Sequence, residues 1–312
     1  MSDVLIMRPM LQSALDALDA TFTTHKLYEA DDPNALLTAV GSRIKGVATN
    51  GHFGCPPDIM NKLPNLSIIS SFGVGYDAID VEDCRARGIV VTNTPDVLTD
   101  AMAEITMGLM IALCRRIPQA DAYTRAGKWA SDGPFPLTGE LTGKTVGILG
   151  LGRIGKEVAR RAQAFKMRVV YHGRTNQAHE PFLYYPDLVT MAKEVDWLVS
   201  IVPGGAGTKN LINREVLDAL GPDGMFVNVG RGASVDEPAL ISALQDGRLG
   251  GAALDVFDDE PNVPEAFFGM DNVVLSPHNG SATTKTRWSM GDLVVRNLKA
   301  HLDGLPAITP VS

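Results

Sequence analysis

At 312 residues the chain is about twice the length of a typical domain, so two domains are expected. Its 45% hydrophobic and 21% charged content, with mean hydropathy near zero, argues against both a disordered chain and a membrane protein. A formal net charge of −8 repels polyphosphate backbones, so no nucleic-acid partner is expected, and an anionic substrate must be drawn in by local cations. The N-terminal segment enters an apolar run with no basic stretch or cleavage site before it, which makes a poor secretory signal. Cys55, Cys84 and Cys114 are odd in number and lack C-x-x-C spacing. They read as thiols in a reducing cytoplasm, with neither disulfides nor a metal site.

Taken in chain order, apolar runs at 4–7, 46–49, 67–70 and 89–93 read as strands, with amphipathic helical stretches such as 10–20 and 81–87 between them. Continuous Val/Ile runs separated by helices imply a parallel sheet covered on both faces, an α/β fold. A long apolar helix is expected over 99–116, with Thr99 or Asp100 capping its start and Arg115 and Arg116 suiting its C-terminal dipole. The apolar stretch 105–114 within it is far short of the roughly 20 residues that span a bilayer. After a Gly/Pro-rich link at 132–143 the alternation restarts, with strands at 145–150, 168–171, 197–202, 225–230, 251–256 and 273–276. The last helix, about 281–302, has no strand after it and is expected to return to the first domain.

The second strand set opens on Gly150-Leu151-Gly152-Arg153-Ile154-Gly155, between a strand and a helix at 153–165. Gly150 permits a tight turn, Gly152 lets backbone approach a pyrophosphate, and Gly155 lets helix pack on strand. The helix N-terminus adds free N–H groups and a positive dipole. NAD-binding sites place an acidic residue at the end of the next strand, for the ribose 2′-hydroxyl. Here that strand ends His172-Gly173-Arg174-Thr175, with no carboxylate until Glu180. Arg174, with Thr175 and His172, therefore points to the 2′-phosphate of NADPH, with NAD as the other possible cofactor. Charge-assisted bonds of this kind are worth about 1.5–3 kcal/mol each, roughly ten- to a hundredfold in affinity. The competing reading of Arg174 is a solvated loop cation.

Three polar residues stand at or just past later strand ends: Arg231, Glu260 and His278. Ligands of open α/β sheets bind outside the carboxyl ends of the strands, the edge that also carries the glycine loop. Reduction of a keto acid needs a hydride for carbon and a proton for the developing alkoxide. His278 is the candidate proton donor, Glu260 its orienting carboxylate, and Arg231 the grip on the substrate carboxylate and carbonyl. Asp255, at its own strand end, is a candidate partner for the nicotinamide amide. Taken singly, each residue also fits turn chemistry or surface pairing; the set of three carries the reading.

With these motifs in place, the chain resembles the D-isomer-specific 2-hydroxyacid dehydrogenase family along essentially its whole length. The densest matches are SFGVGYDAIDV (71–81), GILGLGRIG (147–155), VNVGRG (227–232), DVFDDEP (255–261) and SPHNGSAT (276–283). The look is closest to the NADPH-dependent glyoxylate/hydroxypyruvate reductases. The resemblance implies a flavodoxin-like substrate lobe (1–98 plus 286–312) and a Rossmann cofactor lobe (99–285), both doubly wound on parallel sheets, with a cleft between them. It implies that Arg231, Glu260 and His278 are catalytic. Val74 and Gly75 would contact the substrate carboxylate through backbone amides, with Val74 also near the nicotinamide. Arg153, Ile154, Val202, Pro203, Thr208, Val229, Gly230, Arg231, Asp255, His278 and Gly280 would line the cofactor. A homodimer through the cofactor lobes is also implied. Phe53, Trp129 and Trp288 are candidates either for pocket walls or for core and interface packing.

The expected reaction converts glyoxylate to glycolate or hydroxypyruvate to D-glycerate in the cytoplasm. A larger substrate of the phenylpyruvate or ketogluconate type is the alternative within the enzyme class. Outside it stands a nucleotide-sensing interaction protein resembling the family's corepressors. Formate oxidation, also found in the superfamily, pairs the histidine with an amide and fits Glu260 poorly.

Overall fold

A computed structural model describes residues 1–311. Contacts divide the chain into two units, Met1–Leu98 with the segment from Ala282 onward, and Thr99–Ser281. The second boundary falls four residues before the expected 285/286. The reason is local: the Thr283 hydroxyl caps the C-terminal helix (Thr284–Leu302) by accepting from the Thr286 N–H at 3.1 Å. The Arg287 guanidinium on its first turn already sits 5.6 Å over the Phe72 ring of the first unit.

The first unit runs β1 (Asp3–Ile6), α1 (Gln12–Thr21), β2 (Thr23–Lys26), α2 (Pro33–Val40), β3 (Ile44–Asn50), α3 (Pro57–Met60), β4 (Ile68–Phe72), α4 (Val81–Ala86) and β5 (Val90–Thr92). All pairings are parallel, in the order β2-β1-β3-β4-β5, which is the flavodoxin-like order. Successive strand residues point to opposite faces, so Leu5, Val47 and Ile69 build one core layer while Val4, Ile6 and Ile68 build the other. Val294 and Leu298 of the C-terminal helix, both fully buried, complete the second layer. Beyond the helix, buried Asn297 donates to the Thr309 hydroxyl (2.9 Å) and accepts from the Ile308 and Thr309 N–H groups. The tail then lies along β5, with the Val311 N–H on the Val91 carbonyl at 2.8 Å.

The second unit opens with α5 (Thr99–Cys114), α6 (Ile117–Arg125) and α7 (Lys128–Ser131). Helix α5 ends two residues earlier than expected. Arg116 takes a left-handed conformation (φ 49°) that starts α6, and Arg115 donates to the Thr138 hydroxyl. Asp100 receives the Arg161 guanidinium at 2.7 Å. There follow β6 (Thr145–Leu149), α8 (Arg153–Ala164), β7 (Arg168–His172), β8 (Leu183–Tyr184), α9 (Leu188–Lys193), β9 (Trp197–Ser200), α10 (Arg214–Leu220), β10 (Met225–Asn228), α11 (Glu237–Gln245), β11 (Gly251–Leu254) and β12 (Val273–Leu275). The sheet is parallel throughout, in the order β12-β11-β10-β9-β6-β7-β8. The order reverses beside β6, so the loops after β6 and β9 flank a topological switch point, where ligands of such sheets bind. Among the described residues no helix is long and apolar enough to cross a membrane, and no cluster of His, Cys, Asp or Glu is arranged to hold a metal ion.

Candidate active site

The glycine loop joins β6 to α8. Gly150 has φ 99°, a region open to glycine and costly for other residues. A Cβ on Gly155 would stand 2.3 Å from the Gly150 carbonyl oxygen, so helix and loop meet through backbone alone. Gly152 meets nothing within 4 Å and, as N-cap of α8, offers no capping side chain. The first N–H groups of α8 are therefore left for an anion, and the cradle fits a pyrophosphate. On the neighbouring strand ends, Val202 and Val229 are buried, and a Cβ on Gly230 would lie 2.6 Å from the Val202 carbonyl oxygen. Ile154 is half-buried and Arg153 exposed at the start of α8. The Thr208 hydroxyl donates to the Pro203 carbonyl at 2.7 Å, so it shapes its own loop.

The loop after β7 is tied down on three sides. The hydroxyl of fully buried Tyr171 donates to Asn176 (3.0 Å) and accepts from the Gln177 N–H (2.7 Å), and the Gln177 amide donates to the Leu151 carbonyl of the glycine loop (2.7 Å). His172 uses Nδ1–H on the Tyr185 carbonyl at 2.8 Å, and the Gly173 carbonyl accepts from the Tyr184 hydroxyl. Glu180 is held by Lys156 at 2.8 Å, and that ammonium keeps its carboxyl below the ordinary range. Arg174 and Thr175 are exposed and make no hydrogen bond or ion pair among the described residues. A cation and a hydroxyl thus stand open where an NAD site has an acid, and Glu180, the first carboxylate after them in sequence, is already paired with Lys156.

The polar trio is built by the loops after β10, β11 and β12. Asn228, buried at the end of β10, donates to the Arg231 carbonyl (2.9 Å) and accepts from the Gly230 N–H (3.1 Å), fixing the turn that presents Arg231. A Cβ on Gly232 would lie 1.9 Å from the Phe257 carbonyl carbon, so the Arg231 and Glu260 loops touch backbone to backbone. Glu260 accepts the Phe257 N–H on Oε1 (3.0 Å) and His278 Nδ1–H on Oε2 (2.6 Å). An ionised carboxylate only accepts, so the imidazole proton on this side belongs to Nδ1, and Nε2 has no partner among the described residues. Side-chain exposure is 46% for His278 and 19% for Glu260: the ring reaches solvent while its partner is sheltered.

His278 has φ 50°, and the turn that imposes this hangs on Asp255. The fully buried Asp255 carboxylate accepts from the Ser276 hydroxyl (2.5 Å), the Asn279 N–H (2.8 Å) and the Gly280 N–H (2.9 Å). Its carbonyl accepts the His278 N–H at 2.9 Å. Three of the roughly four acceptor sites of this carboxylate are thus committed to the histidine turn, a role the sequence reading did not foresee. Sequence reading also missed Asn228, Ser276 and Glu237, which accepts the Asp258 N–H at 2.9 Å and whose carboxyl is pushed up by burial. The one available signal was a polar residue ending an otherwise apolar strand, as at Asn228.

In the first unit, Val74 and Gly75 follow β4. The Asn93 amide donates to the Val74 carbonyl (2.8 Å), and Gly73 and Thr94 exchange two hydrogen bonds. A Cβ on Gly51 would lie 1.9 Å from the Gly75 carbonyl oxygen, so the loop after β3 supports the loop after β4. The N–H groups of Val74 and Gly75 bond to none of the described residues, as a carboxylate-binding loop requires. Phe53 is half-buried beneath the Arg8 guanidinium, 3.9 Å from its ring centroid. Trp129 and Trp288, at 69% and 55% exposure, belong to neither core.

A family model for the NAD-binding domain of D-isomer specific 2-hydroxyacid dehydrogenases matches residues 107–280. Glyoxylate/hydroxypyruvate reductase A of Arabidopsis thaliana is 47% identical over 308 residues, covering 99% of this chain and 98% of that protein. The hydroxyphenylpyruvate reductase of Plectranthus scutellarioides is also 47% identical, with the same coverage. Among solved structures, the NADPH-dependent glyoxylate/hydroxypyruvate reductase of Sinorhizobium meliloti in complex with NADP and malonate is similar. It aligns with a TM-score of 0.94 and 47% identity, over 100% of this chain and 97% of that one.

Proposed function

The chain belongs to the D-isomer specific 2-hydroxyacid dehydrogenase family, and on that premise we propose that it reduces a small 2-keto acid, glyoxylate or hydroxypyruvate, with NADPH as preferred cofactor. The observation that carries this reading is the Glu260–His278 pair, 2.6 Å apart, with Nε2 of the ring unpartnered. NADPH, when bound, supplies the hydride that forms the new C–H bond. His278 gives its Nε2 proton to the carbonyl oxygen, so carbonyl, hydride and proton become a 2-hydroxy acid. Glu260 holds the ring in the tautomer and orientation this needs and balances its positive charge. Arg231 grips the substrate carboxylate and polarises the carbonyl. In the first unit, the N–H groups of Val74 and Gly75, unbonded among the described residues, suit a carboxylate. Arg174 and Thr175 take the 2′-phosphate, on a loop held ready by Tyr171 and Gln177.

The Plectranthus relative supports a second reading, an aryl keto acid as substrate. A homodimer is supported by α6 and α7, which bury none of their residues, and by Ile117, Trp129 and Leu137, exposed at 49%, 69% and 99%. The three cysteines, buried and unpaired, suit a reducing cytoplasm. The test is initial rates of reduced-nicotinamide loss for glyoxylate, hydroxypyruvate and phenylpyruvate, each with NADPH and NADH. Fast loss with NADPH and a short keto acid is expected. Loss with NADH alone would overturn the role of Arg174, and loss with no pair would overturn the reductase reading.

A further inference from the structure

Among the described residues Arg8 is a cation without a carboxylate, in a chain whose formal charge is −8. It is exposed, two residues past the end of β1, and its guanidinium lies on the face of Phe53. A guanidinium laid on an aromatic face keeps its N–H edges directed outward and loses little freedom when an acceptor arrives. Phe53 is itself fixed, its N–H donating to the Asn50 side chain at 2.8 Å, on the same loop whose Gly51 presses against Gly75. Arg8, Phe53 and the Val74–Gly75 loop therefore follow β1, β3 and β4, three adjacent strands, at one edge of the sheet.

We propose that Arg8, seated on Phe53, is a specificity-determining residue that takes an oxygen-bearing tail, hydroxyl or carboxylate, of a 2-keto acid longer than glyoxylate. The inference rests on the reading that Val74 and Gly75 hold the substrate carboxylate. Two strand spacings separate the β1 and β4 loops by roughly 10 Å, a gap the long side chain of Arg8 partly closes. An extended carbon chain advances about 1.2 Å per bond, so a five- or six-carbon keto acid covers the remaining distance. Glyoxylate, with two carbons, has nothing to offer there. The guanidinium edge matches either a carboxylate or a pair of hydroxyls, and the ring beneath it covers the aliphatic stem between.

The experiment measures kcat and KM of the full-length protein, wild type, Arg8→Ala and Arg8→Lys, with glyoxylate, 2-ketoglutarate and 2-ketogluconate. Arg8 is exposed, so the variants are expected to fold, and equal melting temperatures check this. Removing one charge-assisted contact predicts a KM for the tailed acids raised about tenfold or more in Arg8→Ala, with glyoxylate kinetics changed by less than about twofold. Arg8→Lys keeps the charge and loses the fork, so it recovers part of the 2-ketoglutarate loss. An effect on one tailed acid alone identifies the oxygen that Arg8 takes. Equal losses on all three substrates mean a structural role and overturn the proposal, as does no loss on any. A wild type that reduces glyoxylate and neither tailed acid overturns it while leaving the reductase reading intact. A wild type that reduces none of the three with either nicotinamide overturns that reading and the proposal with it.

Discussion

Replacing Asp255 by Asn tests whether the histidine turn depends on a buried charge. The carboxylate accepts three hydrogen bonds at 2.5–2.9 Å from Ser276, Asn279 and Gly280, with no exposure to solvent. An amide of the same shape keeps only one oxygen. Its cheaper orientation turns the NH2 toward the Gly280 N–H, setting donor against donor. The lost charge-assisted bond costs about 1.5–3 kcal/mol and the stranded buried donor about 1–3, roughly 3–5 kcal/mol together. For a unit of this size that is roughly a 10 °C fall in melting temperature. Buried Trp197 in the same sheet provides the fluorescence signal, which NADPH-free protein avoids confusing with cofactor emission. Because His278 sits at φ 50° on this turn, kcat should fall as well. An Asp255→Asn protein with unchanged melting and unchanged kcat would refute the reasoning. Unchanged melting with lost NADPH affinity would support the role expected from sequence, a contact to the nicotinamide amide.

Glu260→Gln keeps the hydrogen bond to His278 and removes the charge, so kcat should drop about ten- to a hundredfold with NADPH affinity unchanged in a fluorescence titration. Gly155→Ala places a methyl 2.3 Å from the Gly150 oxygen. It should cost about 1–3 kcal/mol or more and weaken NADPH binding in the same titration, since the loop must move. Glu237 is pushed up by burial, so the folded protein keeps its proton to higher pH than the unfolded chain and stability is lost as pH rises through that window. Glu237→Gln retains the acceptor for the Asp258 N–H without the charge. It should melt like wild type near about pH 4 and above it at about pH 7, read by thermal scans across pH.

The parts of the fold that sequence made legible are those where burial imposes a pattern. Val4–Ile6 and Val146–Leu149 are apolar on both faces because helices cover both, and Gly150, Gly152 and Gly155 sit where backbone must approach backbone or anion. Strand β2, Thr23–Lys26, was not legible: it is an edge strand of four residues, none of them buried. Strand β8, only Leu183–Tyr184, carries no period at all. The catalytic candidates could be named from residue type and strand-end position. What position cannot supply is contact. That His278 meets Glu260, 18 residues away, follows from a turn held by Asp255, a residue whose strand-end position suggests only a contact to the nicotinamide amide. Arg8 had no signal either, because a single cation after a strand becomes informative only when Phe53, 45 residues on, is found beneath it.

The return of the C-terminal helix to the first unit bears on how the chain emerges during synthesis. Residues 99–281 form one contiguous unit that can fold as soon as they leave the ribosome, whereas the first unit must wait for a segment made after all of them. Until Val294 and Leu298 arrive, Val4, Ile6 and Ile68 are covered on that face of the sheet only in part, by Leu15 and Leu18 of α1. The first unit is thus begun before the second and completed after it, and for that interval part of its apolar face is in need of protection.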